Sequence, residues 1–377
     1  MKNILYLDNA ATTKVREEVL KEMLPFFNIN FGNPSSIYSI GRLSKKKIEE
    51  AREKIAKVIN AQPKEIYFTG CGSESDNIAI KGIAYANKEN GKNHIITSKI
   101  EHPAVLNTCK ALEKEGFKVT YLNVDNEGIV NLGELKNSIN EKTILISIMY
   151  ANNEIGVVQQ IEEIGLLAKE HNVYFHTDGV QAVGSEKIDV NKMNIDLLSM
   201  SAHKFYGPKG IGALYVKSEI EFKKLQDGGH QEKDKRAGTE NVAGIVGMGK
   251  AIELAYENLE KNNNKILELR EYCISQIEEK IPNIKINGHR SKRLVGNINI
   301  SFENINGGEL LLKLDEKGIC ASAGSACSSG ESKPSHVLLA IGLPKNMLDG
   351  ALRITLGKDN TKEEIDFFVK SLVDIIV

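Results

Sequence analysis

Between residues 60 and 220 the chain alternates two kinds of apolar pattern. Short runs rich in β-branched and aromatic residues predict strands: "EIYFT" (65–69), "HIITS" (94–98), "KVTYLNV" (118–124), "TILISIM" (143–149), "VYFHTD" (173–178), "DLLSMSA" (196–202) and "IGALYV" (211–216). Between several of them, residues 73–87, 103–115 and 161–171 carry helical patterns. In "IEEIGLLAKEHN" (161–172) the apolar residues recur at helical spacing. This alternation predicts an α/β architecture, a mostly parallel central sheet covered by helices. After about residue 240 the texture changes. A long helical stretch (242–280), interrupted near "KNNNK" (261–265), leads to "IKIN" (284–287), "GNINISF" (296–302), a helix near 307–317, "LRITL" (352–356) and a terminal helix (361–376). That order predicts a smaller α+β domain hung on the large one. Internal repeats and low-complexity segments are not seen.

Composition adds exclusions. Of 377 residues, 41% are hydrophobic and 26% charged, which supports a well-buried core. Lys+Arg is 49 and Asp+Glu is 50, so the net charge of −1 gives no electrostatic reason to expect nucleic acid or an anionic membrane as partner. The run "KKKIEEAREK" (45–54) mixes signs and reads as a solvated helix face. Only four consecutive apolar residues precede Asp8, too few for a signal peptide, and no run approaches a membrane span. A cytoplasmic protein is expected. The cysteines, at 71, 109, 273, 320 and 327, are odd in number and widely spaced, which predicts free thiols rather than a disulfide framework or zinc site.

Seven stretches carry candidate chemistry, most with a plainer rival. In "SMSAHKFYGPKGIGALYV" (199–216), Ser201, His203 and Lys204 follow a strand end. A lysine there is awkward in a core, but forms a Schiff base readily with an aldehyde cofactor. Its rival is a surface loop lysine. In "VYFHTDGVQAVG", Asp178 ends a strand with Gln181 three residues on, where open α/β sheets line their ligand crevice. A turn residue or helix cap is the alternative. "FTGCGSESDNIAIKG" (68–82) runs from strand through glycines into a helix whose first N–H groups are a candidate phosphate cup, with the Ser73 hydroxyl beside them; a plain glycine-rich turn is the rival. Cys71 reads there as a packing residue. His102, in "SKIEHPAVLNT", is either a proton carrier beside a cofactor ring or a helix-start residue. Asn153 lies just past a strand, and Arg353 sits within an apolar one. Such a guanidinium needs an anion, either a substrate carboxylate or an internal ion pair. Finally, "GSACSSG" (324–330) has no apolar periodicity and reads as an exposed loop carrying Cys327. Cys320 reads as a strand residue facing the core.

In this order the stretches resemble the pyridoxal-phosphate-dependent cysteine desulfurases of the NifS/IscS type, within the class V aminotransferases of fold type I. The resemblance spans the chain, from "YLDNAATT" (6–13) through "NPSSIYSIG", "EHPAVLNTC", "NNEIGVVQ", "HTDGVQAVG", "SAHKFYGPKGIG", "RAGTENVAGIVG" (236–247) and "SAGSACSSG" to "LRITLG". It implies a large pyridoxal 5'-phosphate domain at 15–255, and a small domain made of 1–14 and 256–377 that carries the Cys327 loop. It implies Lys204 as the Schiff-base lysine, Asp178 as partner of the ring nitrogen and Gln181 as partner of the ring's 3-oxygen. His102 becomes the stacking residue and proton shuttle. Ser73, Ser201, His203 and the Gly72 N–H become phosphate ligands, and Thr239 a phosphate ligand donated across a homodimer interface. Asn153 and Arg353 hold the carboxylate of L-cysteine, and Cys327 is the nucleophile. The implied function is removal of sulfur from L-cysteine, giving L-alanine and a Cys327 persulfide. An acceptor protein then takes the sulfur for iron–sulfur cluster assembly or tRNA thiolation. Ser73 stands where threonine is usual and Gly179 where alanine is common; neither removes a catalytic group. A selenocysteine lyase or an aminotransferase on the same fold is the alternative within the enzymes. A sulfur-relay scaffold without catalysis is the alternative outside them.

Overall fold

A computed structural model describes residues 4–323 and 334–376; Cys327 and its immediate neighbours lie outside the described residues. The main sheet has seven strands in the order Ile66–Thr69, Gly212–Val216, Leu197–Ser201, Tyr174–Asp178, Thr143–Ser147, His94–Ser98 and Lys118–Leu122. Several are buried at every position, so they read as unbroken apolar runs rather than alternating ones. Four of the pairings are parallel. Gly212–Val216 runs against both of its neighbours. The expected mostly parallel α/β sheet is therefore present, with one reversed strand.

Helices cover the sheet. Gly72–Asn87, Pro103–Lys114 and Ile161–Glu170 fall within a residue of the predicted spans. Pro103 opens its helix at the first position, where a missing N–H costs nothing, and His102 caps it. The charged run at 45–54 lies within a longer helix, Ser39–Val58, of which Arg52 is buried rather than solvated. The 242–280 stretch breaks at Asn258, between Val242–Glu257 and Leu259–Lys280, not at the asparagine run.

A second sheet pairs Ala351–Thr355, Asn297–Phe302 and Ile284–Ile286 antiparallel. Its apolar core joins Ile298, Ile300, Leu352, Ile354 and Phe368 to Leu5 and Leu7 from the far end of the chain. Leu5–Tyr6 pairs in parallel with Ile319–Cys320. That pairing draws residues 8–13 across to the C-terminal edge of the main sheet. Ile319 points into the core, whereas Cys320 is half-buried, which corrects the inward orientation expected for that thiol. No helix among the described residues is long and apolar enough to cross a membrane.

Candidate active site

A cavity of about 250 Å³ opens at the C-terminal ends of the central strands, where an α/β sheet leaves its crevice. Lys204, Asp178, Gln181, His102, Asn153 and Arg353 line it, together with Gly72, Ser73, Ser201 and His203. Asp178 ends the middle strand of the seven. Ser201 ends the next, and the chain turns through Ala202–Lys204 to bring the lysine back over the sheet edge. Lys204 Nζ donates to the carbonyls of Ala10 and Ala11, the latter at 2.9 Å. Gln181 Nε2 donates to the same Ala10 carbonyl at 3.0 Å. His203 Nδ1 meets Thr12 Oγ1 at 3.1 Å, and Thr13 Oγ1 donates to the His203 carbonyl at 2.9 Å. The N-terminal segment is thus the floor on which the Ala202–Lys204 turn is pinned.

Electrostatics follow from burial. Burial pushes the Asp178 carboxyl up from its ordinary value, and His102, the Val180 N–H and Lys204 pull against it. His102 is pushed down by burial, opposed by Asp178 and reinforced by Lys204 and His336. Its Nδ1 accepts the Ala104 N–H at 3.1 Å, which leaves Nε2 as the nitrogen that exchanges protons. Burial and the Lys204 and Lys209 charges lower His203 to about 4, so its ring is neutral at physiological pH. Beside Asp178 lies a second buried carboxyl, Asp76, which also lines the cavity and is raised well above its usual range by burial and by Asp178. One Asp76 oxygen has no hydrogen-bond partner. His176, held neutral by a value of about 3, joins the Ser147 and Ser199 hydroxyls at 2.8 and 3.0 Å behind it.

The donor set fits pyridoxal phosphate. Two buried carboxyls, Asp76 and Asp178, and one imidazole converge within 4.8 Å, a setting that calls for a cationic ring nitrogen. At the other end, the helix Gly72–Asn87 starts at Cys71 with no side-chain cap, so its first N–H groups face the cavity. Gly72 is required there, because a Cβ would sit 2.6 Å from Val180 Cγ2. The Ser73 and Ser201 hydroxyls flank that helix start. Arg353, 3% exposed, splits its guanidinium: Nη2 donates to Asp8 at 2.8 Å, Nη1 to the Asn153 carbonyl at 3.0 Å, and Nε has no partner. The internal ion pair expected as one reading of this arginine is present, and its Nε remains a buried donor without a partner.

One placement differs from expectation. Cys71 is exposed and lines the cavity instead of packing in the core. Thr239 sits in a separate cavity with Gly70, Arg236 and Asn241. Arg236 links that segment to the helix start through Glu74, whose carboxylate it meets at 2.8 Å. Sequence reasoning passed over Asp8 and Asp76. The signal for Asp76 was available: positions 72, 75, 76, 79, 80 and 83 form the buried face of one helix, and a carboxylate on such a face needs a reason.

Comparison with known proteins adds a scale to this geometry. Residues 5–368 match the family Aminotransferase class-V. The chain is 58% identical to Cysteine desulfurase IscS of Clostridium botulinum (strain Hall), over all of this chain and 95% of that protein. A solved structure described as a NifS-like protein superposes with a TM-score of 0.93 at 40% identity, covering 99% of both chains. Another, SspA in complex with cysteine, gives 0.84 at 40% identity over 95% of this chain and all of that one.

Proposed function

The chain belongs to the aminotransferase class-V family, and from that premise we propose how its cavity performs cysteine desulfuration. The protein is a cysteine desulfurase: L-cysteine loses its sulfur and leaves as L-alanine. The observation that carries the site assignment is the convergence of Lys204, Asp178 and Arg353 on one cavity.

Bound pyridoxal 5'-phosphate supplies an aldehyde that captures the substrate amine and a ring that takes up electrons from Cα. The chain's own residues do the rest. Asp178 would pair with the ring nitrogen and favour its protonated form, and Gln181 would pair with the 3-oxygen. Ser73, Ser201, His203 and the Gly72 N–H would hold the phosphate, with Thr239 of a second copy. Arg353 and Asn153 fix the substrate carboxylate, which orients the Cα–H toward Lys204. The Lys204 amine removes that proton. The Cys327 thiolate then attacks the substrate sulfur: an S–S bond forms as the Cβ–S bond breaks. The electron pair stays on carbon, and protonation yields alanine. His102 Nε2 carries the protons.

A homodimer is supported by the apolar side chains crowded on the surface of one short segment: Leu20, Leu24, Phe27, Ile29, Phe31 and Ile37. Two separate apolar cores support a large domain at 15–255 and a small one at 1–14 and 256–377. We assign the protein to the cytoplasm, with an iron–sulfur scaffold or a tRNA-thiolation protein as sulfur acceptor.

Mass analysis of the peptide containing Cys327, after adding L-cysteine to holoenzyme without reductant, tests the site. One added sulfur atom is expected on the wild-type peptide. Cys327→Ser should bind the cofactor but make neither persulfide nor alanine. Full alanine production by Cys327→Ser would return the reading to a lyase or an aminotransferase.

A further inference from the structure

The chain enters and leaves residues 324–333 at two points, and both are fastened to the catalytic machinery. On the entry side Ser322 exchanges two backbone hydrogen bonds with Arg353, at 2.6 and 3.1 Å. Its hydroxyl donates to Asp8, the ion-pair partner of the same arginine, at 2.8 Å. On the exit side Ser335 Oγ donates to Glu154 Oε2 at 2.5 Å, one residue from Asn153. His336 Nε2 meets the Glu101 carbonyl at 2.9 Å, one residue from His102.

Packing accounts for only part of this arrangement. The short helix His336–Ala340 buries Val337 and Leu338 in a cluster that includes Ile100, Met149 and Ile155. Apolar contact of that kind is non-directional and does not by itself select which polar groups face each other. Directed hydrogen bonds make that selection. Ser335 also caps its own helix, accepting from Val337 and Leu338 at 3.1 and 3.3 Å. Its hydroxyl therefore serves the helix as acceptor and Glu154 as donor. Glu154 is 8% exposed and is itself fixed, its backbone N–H on Asn152 Oδ1 and its carbonyl on Asn297 and Asn299. His336 is pushed down by burial, so it is a neutral ring whose Nε2–H donates to the Glu101 carbonyl.

We propose that His336 and Ser335 are positioning residues for sulfur transfer: they fix where the segment bearing Cys327 re-enters the fold, against the peptides that carry His102 and Asn153. This rests on the reading of Cys327 as the nucleophile. In-line attack on a substrate sulfur is sensitive to the attacker's placement, and an error of about 1 Å costs up to roughly a hundredfold in rate. The two anchors act on that step and not on the earlier removal of the Cα proton by Lys204.

The test separates the two steps in the holoenzyme. Exchange of the substrate Cα proton with deuterated water reports the early step. Single-turnover formation of persulfide on the Cys327 peptide, read by mass, reports the later one. His336→Phe keeps a ring and removes the donor; His336→Gln restores a donor. The expected result for His336→Phe is persulfide formation slowed roughly tenfold or more, with Cα exchange within about twofold of wild type. His336→Gln should recover most of the rate. Should His336→Phe fail to fold, Ser335→Ala is read in the same way. A normal persulfide rate in the variant, an equal fall in both steps, or no recovery with glutamine overturns the proposal. Absence of persulfide in the wild-type enzyme overturns the functional reading instead.

Discussion

Glu232 holds a strained turn, and removing its side chain should open that turn without unfolding the protein. Its carboxylate accepts Arg52 Nη1, Arg52 Nη2 and the Phe68 N–H, each at 2.8 Å, and both side chains are almost fully buried. Glu232, Lys233 and Asp234 are three successive non-glycine residues in the left-handed region, at φ of 44°, 57° and 64°. At about 1–2 kcal/mol each, their strain totals roughly 3–6 kcal/mol. Truncating one partner of a buried ion pair costs about 3–5 kcal/mol. The two quantities are of the same size, so release of the turn offsets loss of the pair. Arg52 keeps the Ile66 carbonyl at 2.7 Å and Glu49 at 3.2 Å, so it is not stranded. In Glu232→Ala the expected result is a global unfolding free energy lower by less than about 3 kcal/mol. Trypsin should cleave native protein after Lys233, Lys235 or Arg236 much faster than in wild type. Pyridoxal phosphate should also dissociate faster if Thr239, which we propose as a phosphate ligand, moves with the released segment. Denaturant unfolding and limited proteolysis of the holoenzyme measure both sides. Loss of the full 3–5 kcal/mol or so with no added cleavage would refute the reasoning, since it would mean that the turn stays in place without its clamp.

Two further outcomes follow from the site. Arg353→Ala should raise KM for L-cysteine roughly a hundredfold, the worth of about 3 kcal/mol of charged hydrogen bonding. Arg353→Lys should recover only part, since one ammonium cannot serve Asp8, the Asn153 carbonyl and a substrate carboxylate together; an unchanged KM in both variants refutes the assignment. Burial raises the Glu101 carboxyl to about 8, against the ordinary 4.5. Between those values the native state holds a proton that the unfolded chain has lost, so this group's stability is full below about pH 4.5 and is lost as pH rises toward 8. Glu101→Gln should flatten the decline in unfolding free energy across that window by on the order of 1.4 kcal/mol per pH unit. An identical slope in the variant would show that the carboxyl is ionised in the native state.

Local chemistry was legible along the chain wherever one residue's neighbours in sequence are also its neighbours in space. Leu197–Ser201 and Thr143–Ser147 read as strands because every side chain in them is buried, and burial of a whole run leaves an apolar stretch. Pro103 and His102 mark a helix start because the cap is a contact across two residues. Lys204, Asp178 and Gly72 could be picked out for the same reason: each stands at a strand or helix end that its own neighbours announce. An apolar run reads alike in both directions, however, so the reversal of Gly212–Val216 was invisible. The exposure of Cys71 at the cavity wall and the break at Asn258 rather than at the asparagine run also depended on what packs nearby.

The sequence by itself determined which groups the protein brings to its chemistry: an amine, an imidazole, a carboxylate at a strand end, a guanidinium and a thiol. Only the tertiary structure decided their electrical state and their company. Asp8 meets Arg353 across 345 residues of chain, Lys204 rests on carbonyls 194 and 193 residues before it, and Asp76 lies within 4.8 Å of Asp178 and His102. Coulomb energy and desolvation depend on distance through space and on the removal of water. Neither quantity exists for these groups until the N-terminal segment, the sheet edge and the second sheet have packed together.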